Sequence, residues 1–280
     1  MAIDKIQSES INLADNFAFT GTVTGAGESN IPYFDVAPSS NIAYSDNTSH
    51  TIQLATVNKD TASGLRKTLR IMTGSQGVSN FRPTAAHAIY SRFLPEGGTT
   101  WDMSGGYGGR LLGAIKSQIN YIATEPASDT VKGLNEIIVD FGYISNIFRK
   151  IPHMEIVQKG SEDFLPDKES LDLCFTSPPY FNTEKYSDEE TQSYIKFPTQ
   201  DEWVEGFLRK TIQNCRYGLK PNRYMLINIA DVKSFNHLED TTVWIAEQEG
   251  FVLEDGYSLA LSKIQGEGFK YEPIFVFRKI

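Results

Sequence analysis

The stretch from Trp101 to Arg110, "WDMSGGYGGR", sets four glycines between an alternating run, "TTWDM", and a run of helical period, "RLLGAIKSQI". Alternation of apolar and polar residues reads as a strand, and apolar residues recurring every three to four positions read as a helix. Glycines at the junction permit positive φ and let a ligand come close to the backbone. In open α/β sheets, ligands are held at such turns beyond the carboxyl ends of the strands. The same two patterns continue on both sides. "AAHAIYSRF" upstream is helical; downstream come the strand "YIATE", the amphipathic helix "DTVKGLNEIIVDF" and the strands "HMEIVQ" and "LDLCFT". A helix over "DEWVEGFLRKTIQNCRYGL", the strand "RYMLINIA", a helix over "TTVWIAEQEG" stopping on Gly250, and the strands "FVLEDGYSLALS" and "EPIFVFRKI" complete the series. Strands separated by helices at this spacing imply parallel pairing with right-handed crossovers, hence a three-layer α/β sheet.

This texture begins at about Asn80, so residues 80–280 form the expected main domain. Residues 1–79 are rich in Ser, Thr, Asn and Gly, with short alternating runs such as "FAFTGTVTG" and "TIQLATV". They read as a strand- and loop-rich extension without a motif that assigns a role. A chain of 280 residues, 40% of them hydrophobic, can bury a substantial core. Its net charge of -9 argues against a protein that coats nucleic acid by bulk attraction, although short basic clusters such as "GLRKTLR" and "FLRK" allow a local lining. No apolar run approaches the roughly 18 residues of a membrane span, and the first residues lack the order of a signal peptide. A cytoplasmic protein without a membrane partner is expected. Cys174 and Cys215 sit inside apolar patterns and read as core, and His50, His87, His153 and His237 show no metal-ligand spacing. No metal site is expected.

Two acidic positions sharpen the glycine turn. Glu125 ends the strand after it and can accept both hydroxyl hydrogens of a ribose, as the acid of dinucleotide-binding turns does; it can equally cap the helix that follows "PASDT". Asp163, in "GSEDF" after the third strand, can receive the amino group of an adenine ring, or simply belong to a helix-start turn. The turn lacks the "GK[ST]" ending that cradles a triphosphate, which favours a nucleoside without a phosphate chain.

The fourth strand leaves the sheet through Phe175-Thr176-Ser177-Pro178-Pro179-Tyr180. Proline fixes its own φ, has no N–H and restricts the residue before it, so the backbone after Ser177 is stiff. The Ser177 hydroxyl and neighbouring carbonyls are then held as acceptors without competing donors, suited to the two protons of an aromatic amine. Tyr180 adds a face on which a base can stack, worth roughly 1–3 kcal/mol.

"FTSPPY" together with "WDMSGGYGGR" resembles the amino-methyltransferases of DNA, which use S-adenosylmethionine. The resemblance covers about residues 80–280 and implies the class I methyltransferase fold with a mostly parallel seven-stranded sheet. Ser177, Pro178, Pro179 and Tyr180 fall on the family's "[DNS]PP[YF]" tetrapeptide and would be the catalytic residues. Asp102, Ser104, Gly106, Gly108 and Gly109 fall on its cofactor turn, Glu125 would take the ribose and Asp163 the adenine. The helix beginning "FRPTAAHAIY" stands where the family closes over the methionine end of the cofactor, which makes Arg82, with Phe81 and Pro83, a further candidate. The usual "DPFxGxG" reads "DMSGGYG" here, and serine before the prolines looks more like the cytosine-N4 enzymes than the adenine-N6 enzymes.

DNA is the partner that the resemblance implies, with the target base flipped out of its duplex. The tetrapeptide by itself specifies a planar nitrogen, so amine methylation of RNA or of protein glutamine stays open, as does an inactive nucleic-acid-binding subunit. No separate target-recognition domain is evident. Sequence reading therefore falls to residues 1–79, to the acidic insert after Tyr180, or to a specificity subunit; the insert, with Tyr186, Tyr194 and Phe197, is expected to form a lid or a wall of the base pocket.

Overall fold

The computed structural model describes residues 33–36, 41–45, 49–53, 80–146, 152–183, 187–263 and 269–280. The chain divides into two compact units, residues 1–79 and 80–280. Within the first, β1 (Tyr33–Val36), β2 (Asn41–Ser45) and β3 (Ser49–Gln53) form an antiparallel sheet in the order β1-β2-β3. Only "TIQ" of the expected runs falls in these strands; "FAFTGTVTG" and the cluster "GLRKTLR" lie outside the described residues.

The second unit opens with α1 (Pro83–Phe93), which has proline in its first turn, where the missing N–H leaves no helical bond unmade. There follow β4 (Thr99–Asp102), α2 (Gly109–Ser117), β5 (Asn120–Thr124), α3 (Ser128–Asn146) and β6 (Met154–Val157). A single 3-10 turn, Ser161–Asp163, leads to β7 (Leu171–Thr176). The short helices α4 (Ser193–Lys196) and α5 (Gln200–Trp203) precede a π-helical stretch, Val204–Arg209, that continues into α6 (Lys210–Gly218). The chain ends with β8 (Leu219–Asn228), α7 (Leu238–Gln248), β9 (Phe251–Lys263) and β10 (Phe269–Lys279).

The seven strands order as β6-β5-β4-β7-β8-β10-β9. All neighbours are parallel except β10, which runs antiparallel to both β8 and β9. This is the strand order of the class I methyltransferase fold, as expected. Period-2 alternation divides the strand residues between the two faces. Met225, Ile227 and Ile229 pack on the side of α6 and α7 with Trp203, Phe207, Ile212 and Ile245. Leu226 points the other way, to Leu173, Phe175, Tyr121 and Ala123, which are covered by Ala86, Tyr90, Leu111 and Leu134. Cys174 and Cys215 are both free and wholly buried, in the first of these clusters. Burial, with the Cys174 thiol beside it, pushes the Cys215 thiol well above its ordinary value, so the pair behaves as core. Among the described residues no helix is long and apolar enough to cross a membrane.

Three local features differ from the sequence reading. β8 begins at Leu219, four residues before "RYMLINIA", and carries Pro221 and a positive φ of 60° at Asn222. A register shift between Leu171 and Leu173 of β7 accommodates the irregular segment. The helix expected over "DEWVEGFLRK" widens to π geometry around Gly206, where a Cβ would stand 2.3 Å from the Phe197 ring.

Candidate active site

Parallel pairing of β4 with β7, Trp101 opposite Cys174, brings their carboxyl ends side by side. The glycine turn leaves one strand and Ser177-Pro178-Pro179-Tyr180 leaves its neighbour. Asp102, the last residue of β4, is fully buried and binds four donors. Arg110 Nε lies 2.8 Å from Oδ2, the Tyr121 hydroxyl 2.6 Å from Oδ2, the Thr176 hydroxyl 3.1 Å from Oδ1 and the Ser104 amide 3.2 Å from Oδ1. Arg110 also donates to the Ser104 carbonyl. Burial works against the Arg110 charge, but the Asp102 carboxylate more than offsets it and holds the guanidinium well above its ordinary pKa. The aspartate of the turn therefore faces inward and fixes the loop's shape.

Glycine is required at two points of that loop. Gly108 has φ of 83°, and a Cβ there would lie 2.8 Å from Ile137. At Gly109 a Cβ would stand 1.9 Å from the Phe81 carbonyl oxygen, because the segment before α1 lies directly on the turn. Asn80 holds the segment in place: Oδ1 accepts from the Gly109 amide at 3.1 Å and Nδ2 donates to the Tyr107 carbonyl at 3.2 Å. The segment "FRP" does reach the turn, but through Asn80 and Phe81. Arg82 is exposed and donates to the Leu261 carbonyl of β9, and Arg110 lies over the Phe81 ring at 5.5 Å.

Glu125, buried at the tip of β5, accepts from the Gly106 amide through Oε2 and from the Ala127 amide through Oε1, each at 3.0 Å. It thus bridges the glycine turn and the entry to α3, which realises part of the capping role. Each oxygen keeps a further lone pair for a ligand hydroxyl. Burial, only partly countered by these two amides, raises its pKa above the ordinary 4.5. Between the two values the folded protein binds the proton more tightly than the unfolded chain, so stability falls as pH rises through that window. In scanning calorimetry at pH values above 4.5, Glu125→Gln is expected to remove this fall, although its single amide oxygen can accept from only one of the Gly106 and Ala127 amides and the variant is less stable by about 1–3 kcal/mol for the amide left unpaired. A variant that keeps the same fall with pH would overturn the burial account.

Asp163 ends the 3-10 turn at the tip of β6 with its side chain 57% exposed, and is ion-paired with Lys196. Ser177 is half-buried at the end of β7, outside both core clusters. Tyr180 is only 8% exposed, and its ring belongs to the cluster with Phe181, Trp203 and Phe235. Its hydroxyl donates towards Glu272 Oε2 at 3.3 Å and the Asn228 carbonyl at 3.5 Å. Because β10 runs antiparallel to β8, Glu272 near its start lies at the same sheet edge as the tetrapeptide. Tyr186 lies outside the described residues; Tyr194 donates to the Ser187 carbonyl at 2.9 Å and Phe197 packs on Gly206.

Sequence reasoning passed over Asn80, Arg110, Thr176 and Glu272. A charged residue opening the otherwise apolar "RLLGAI" was the one available signal, since an arginine there needs a buried acid. The others make contacts 27 to 92 residues away, which no periodicity records.

Residues 171–280 match the model of the N6/N4 methylase family, described as DNA methylase. No curated protein matches the chain. Among solved structures, the chain is similar to a SAM-dependent methyltransferase from Methanosarcina mazei at 11% identity and a TM-score of 0.48, over 69% of this chain and 97% of that one. It is also similar to magnesium protoporphyrin IX methyltransferase from Synechocystis PCC 6803 at 12% identity and 0.48, over 78% and 92%. A third is a putative RNA methyltransferase from Pyrococcus horikoshii at 13% and 0.46, over 77% and 98%. From β7 to its last strand, then, the chain is similar to the N6/N4 DNA methylases, the family that its Ser-Pro-Pro-Tyr tetrapeptide resembles.

Proposed function

We propose that this chain transfers a methyl group from S-adenosyl-L-methionine to the exocyclic amino nitrogen of a DNA base turned out of its duplex, with cytosine N4 favoured over adenine N6. The carrying observation is the junction of the glycine turn and the proline-stiffened strand end on adjacent strands, tied by the Thr176 hydroxyl to Asp102. One ligand lying across the tips of β4, β5 and β6 meets the backbone of Gly106 to Gly109, Glu125 and Asp163 in turn. The residues fit such a nucleoside: Glu125 has spare acceptor capacity for ribose hydroxyls, Asp163 can accept from adenine, and Gly106 and Gly108 take positive φ at the closest approach. Asp102 and Ser104 shape the turn from behind, and Arg82 lies at its margin.

S-adenosyl-L-methionine supplies an electrophilic methyl on a sulfonium. The chain's own residues position the acceptor. The Ser177 hydroxyl and the carbonyls near it accept hydrogen bonds from the two amine N–H groups, which favours tetrahedral nitrogen and frees its lone pair for in-line attack. As the N–C bond forms the S–CH3 bond breaks, leaving S-adenosyl-homocysteine, and the methylated nitrogen then loses one proton to solvent. Pro178 and Pro179 keep those acceptors fixed, and this positioning is the principal catalytic contribution. Tyr180, tethered at its hydroxyl, forms the floor of the base pocket. Flipping the base costs a few kcal/mol, which stacking there partly offsets. Reading of the target sequence is assigned to residues 1–79 or to a partner protein.

Incubation with DNA and labelled cofactor, digestion to nucleosides and mass spectrometry tests the reading. N4-methylcytosine is the expected product, and N6-methyladenine would change the base while keeping the chemistry. Label found only in RNA or protein, offered side by side, would overturn the DNA assignment.

A further inference from the structure

The insert between β7 and α6 is expected at the base pocket, and Thr183 and Gln200 near its two ends do reach Ser234 beyond β8, but the polar contacts of residues 187–197 run to the other side of the sheet edge. Glu189 accepts from the Ser128 amide at 3.0 Å and the Ser128 hydroxyl at 2.9 Å, at the start of α3 just beyond Glu125. The Thr191 hydroxyl approaches the Pro126 carbonyl at 3.4 Å. Further along, the Lys196 ammonium donates to Glu162 Oε1 at 2.9 Å and to Asp163 Oδ2. Phe197 then seats on Gly206, and Trp203 Nε1 donates to the Ser193 hydroxyl at 3.2 Å. The segment is thus fastened at the tip of β5, at the tip of β6 and on the π-helical stretch.

Those first two fastenings coincide with the positions assigned to ribose and adenine. Lys196 faces two adjacent carboxylates, one of them buried, and Glu162 Oε2 is buried with no donor among the described residues. One ammonium between two carboxylates leaves acceptor capacity for another N–H donor. Burial opposes the Lys196 charge, but its bonds to Asp163 and Glu162 outweigh that and raise its pKa, so the ammonium persists throughout the neutral range.

We propose that residues 187–197 form a strap that closes the adenosine end of the cofactor site, in which Lys196 is a positioning residue that aims Asp163 at the adenine amino group and Glu189 is the clasp. This rests on the reading of the site as one for S-adenosyl-L-methionine. The strap slows departure of the bound nucleoside and gives the site its preference for adenine over a deaminated ring.

Binding of S-adenosyl-homocysteine and of its deaminated inosine analogue is measured by calorimetry and stopped-flow dissociation on the intact chain. Lys196→Met is expected to dissociate S-adenosyl-homocysteine about fivefold to tenfold faster, the scale of a partly exposed charged hydrogen bond, and to lose most of the preference over the inosine analogue. Lys196→Arg should restore both, while Glu189→Ala should speed dissociation of the two ligands equally. If Lys196→Met weakens both ligands by the same factor, or leaves dissociation unchanged, the positioning role is overturned. If the unmodified chain binds neither ligand, the methyl-transfer reading fails and the strap with it. Binding by the parent with unaltered rates in the variants overturns the strap alone.

Discussion

Ser177→Ala is expected to lower the rate of methyl transfer about a hundredfold or more while leaving affinity for S-adenosyl-L-methionine and the melting temperature unchanged, by analogy with the loss of one positioned hydrogen-bonding group in other active sites. An exocyclic amine shares its lone pair with the ring, so attack requires the nitrogen to leave planarity, and each of its protons needs an acceptor on the correct side. The Pro178 and Pro179 peptides supply carbonyls but no N–H, and the Ser177 hydroxyl supplies the other acceptor. Ser177 is half-buried at the end of β7 and outside both core clusters, so removing its oxygen creates no cavity in the core. Cofactor affinity should survive because the glycine turn is held by Asp102, Asn80 and Glu125, none of which is altered. The split is the diagnostic: kcat falls and the cofactor Kd stays. Tyr180→Phe makes a useful companion, since it removes the bonds to Glu272 and Asn228 but keeps the ring. Equal loss of cofactor binding and of rate in Ser177→Ala would mean that the base pocket has been placed on the wrong residues. Full activity would remove the hydroxyl from the mechanism.

Much of this placement follows from adjacency that a sequence can express. A strand, a glycine turn and a helix at Trp101 to Ser117, followed by another βα unit, impose a right-handed crossover and a parallel neighbour. The period-2 pattern of "YMLINI" then divides its residues correctly between the two faces. The legible part is local because it depends on spacing within one element. What stayed hidden depends on pairs brought together only by folding. "DEETQSYIKF" is acidic with scattered aromatics, and nothing in it says that Glu189 reaches Ser128 or that Lys196 reaches Asp163. Nor does proline at 221 suggest that β8 begins before it, since a proline usually marks a strand's edge or start. In the sequence, Asn80 stands only as the first residue of a domain. Its side chain instead fixes both sides of the glycine turn, a role that depends on where the chain doubles back.

The largest effect on stability is expected at Asp102, where the same logic of hidden pairs has an energetic consequence. Asp102→Ala leaves the Arg110 guanidinium buried, at 5% exposure, with the Ser104 carbonyl as its remaining partner in the turn. Removing one partner of a buried ion pair costs about 3–5 kcal/mol, because the surviving charge has neither water nor its counterion. For a unit of this size that is a fall of roughly 10 °C in melting temperature. Arg110→Met should cost less, since Asp102 keeps the Tyr121 and Thr176 hydroxyls and the Ser104 amide as donors. The double variant separates the pair from its surroundings. If the two side chains act as a unit, Asp102→Ala with Arg110→Met will be clearly more stable than the sum of the single losses, with a coupling of about 1–3 kcal/mol. Simple additivity would show that the buried pair is incidental and that the turn is shaped by its glycines alone. In the coupled case the Thr176 hydroxyl also loses its acceptor, and the tetrapeptide that follows is released from the glycine turn. Methyl transfer should then fall further than cofactor affinity, even at temperatures where the double variant is fully folded.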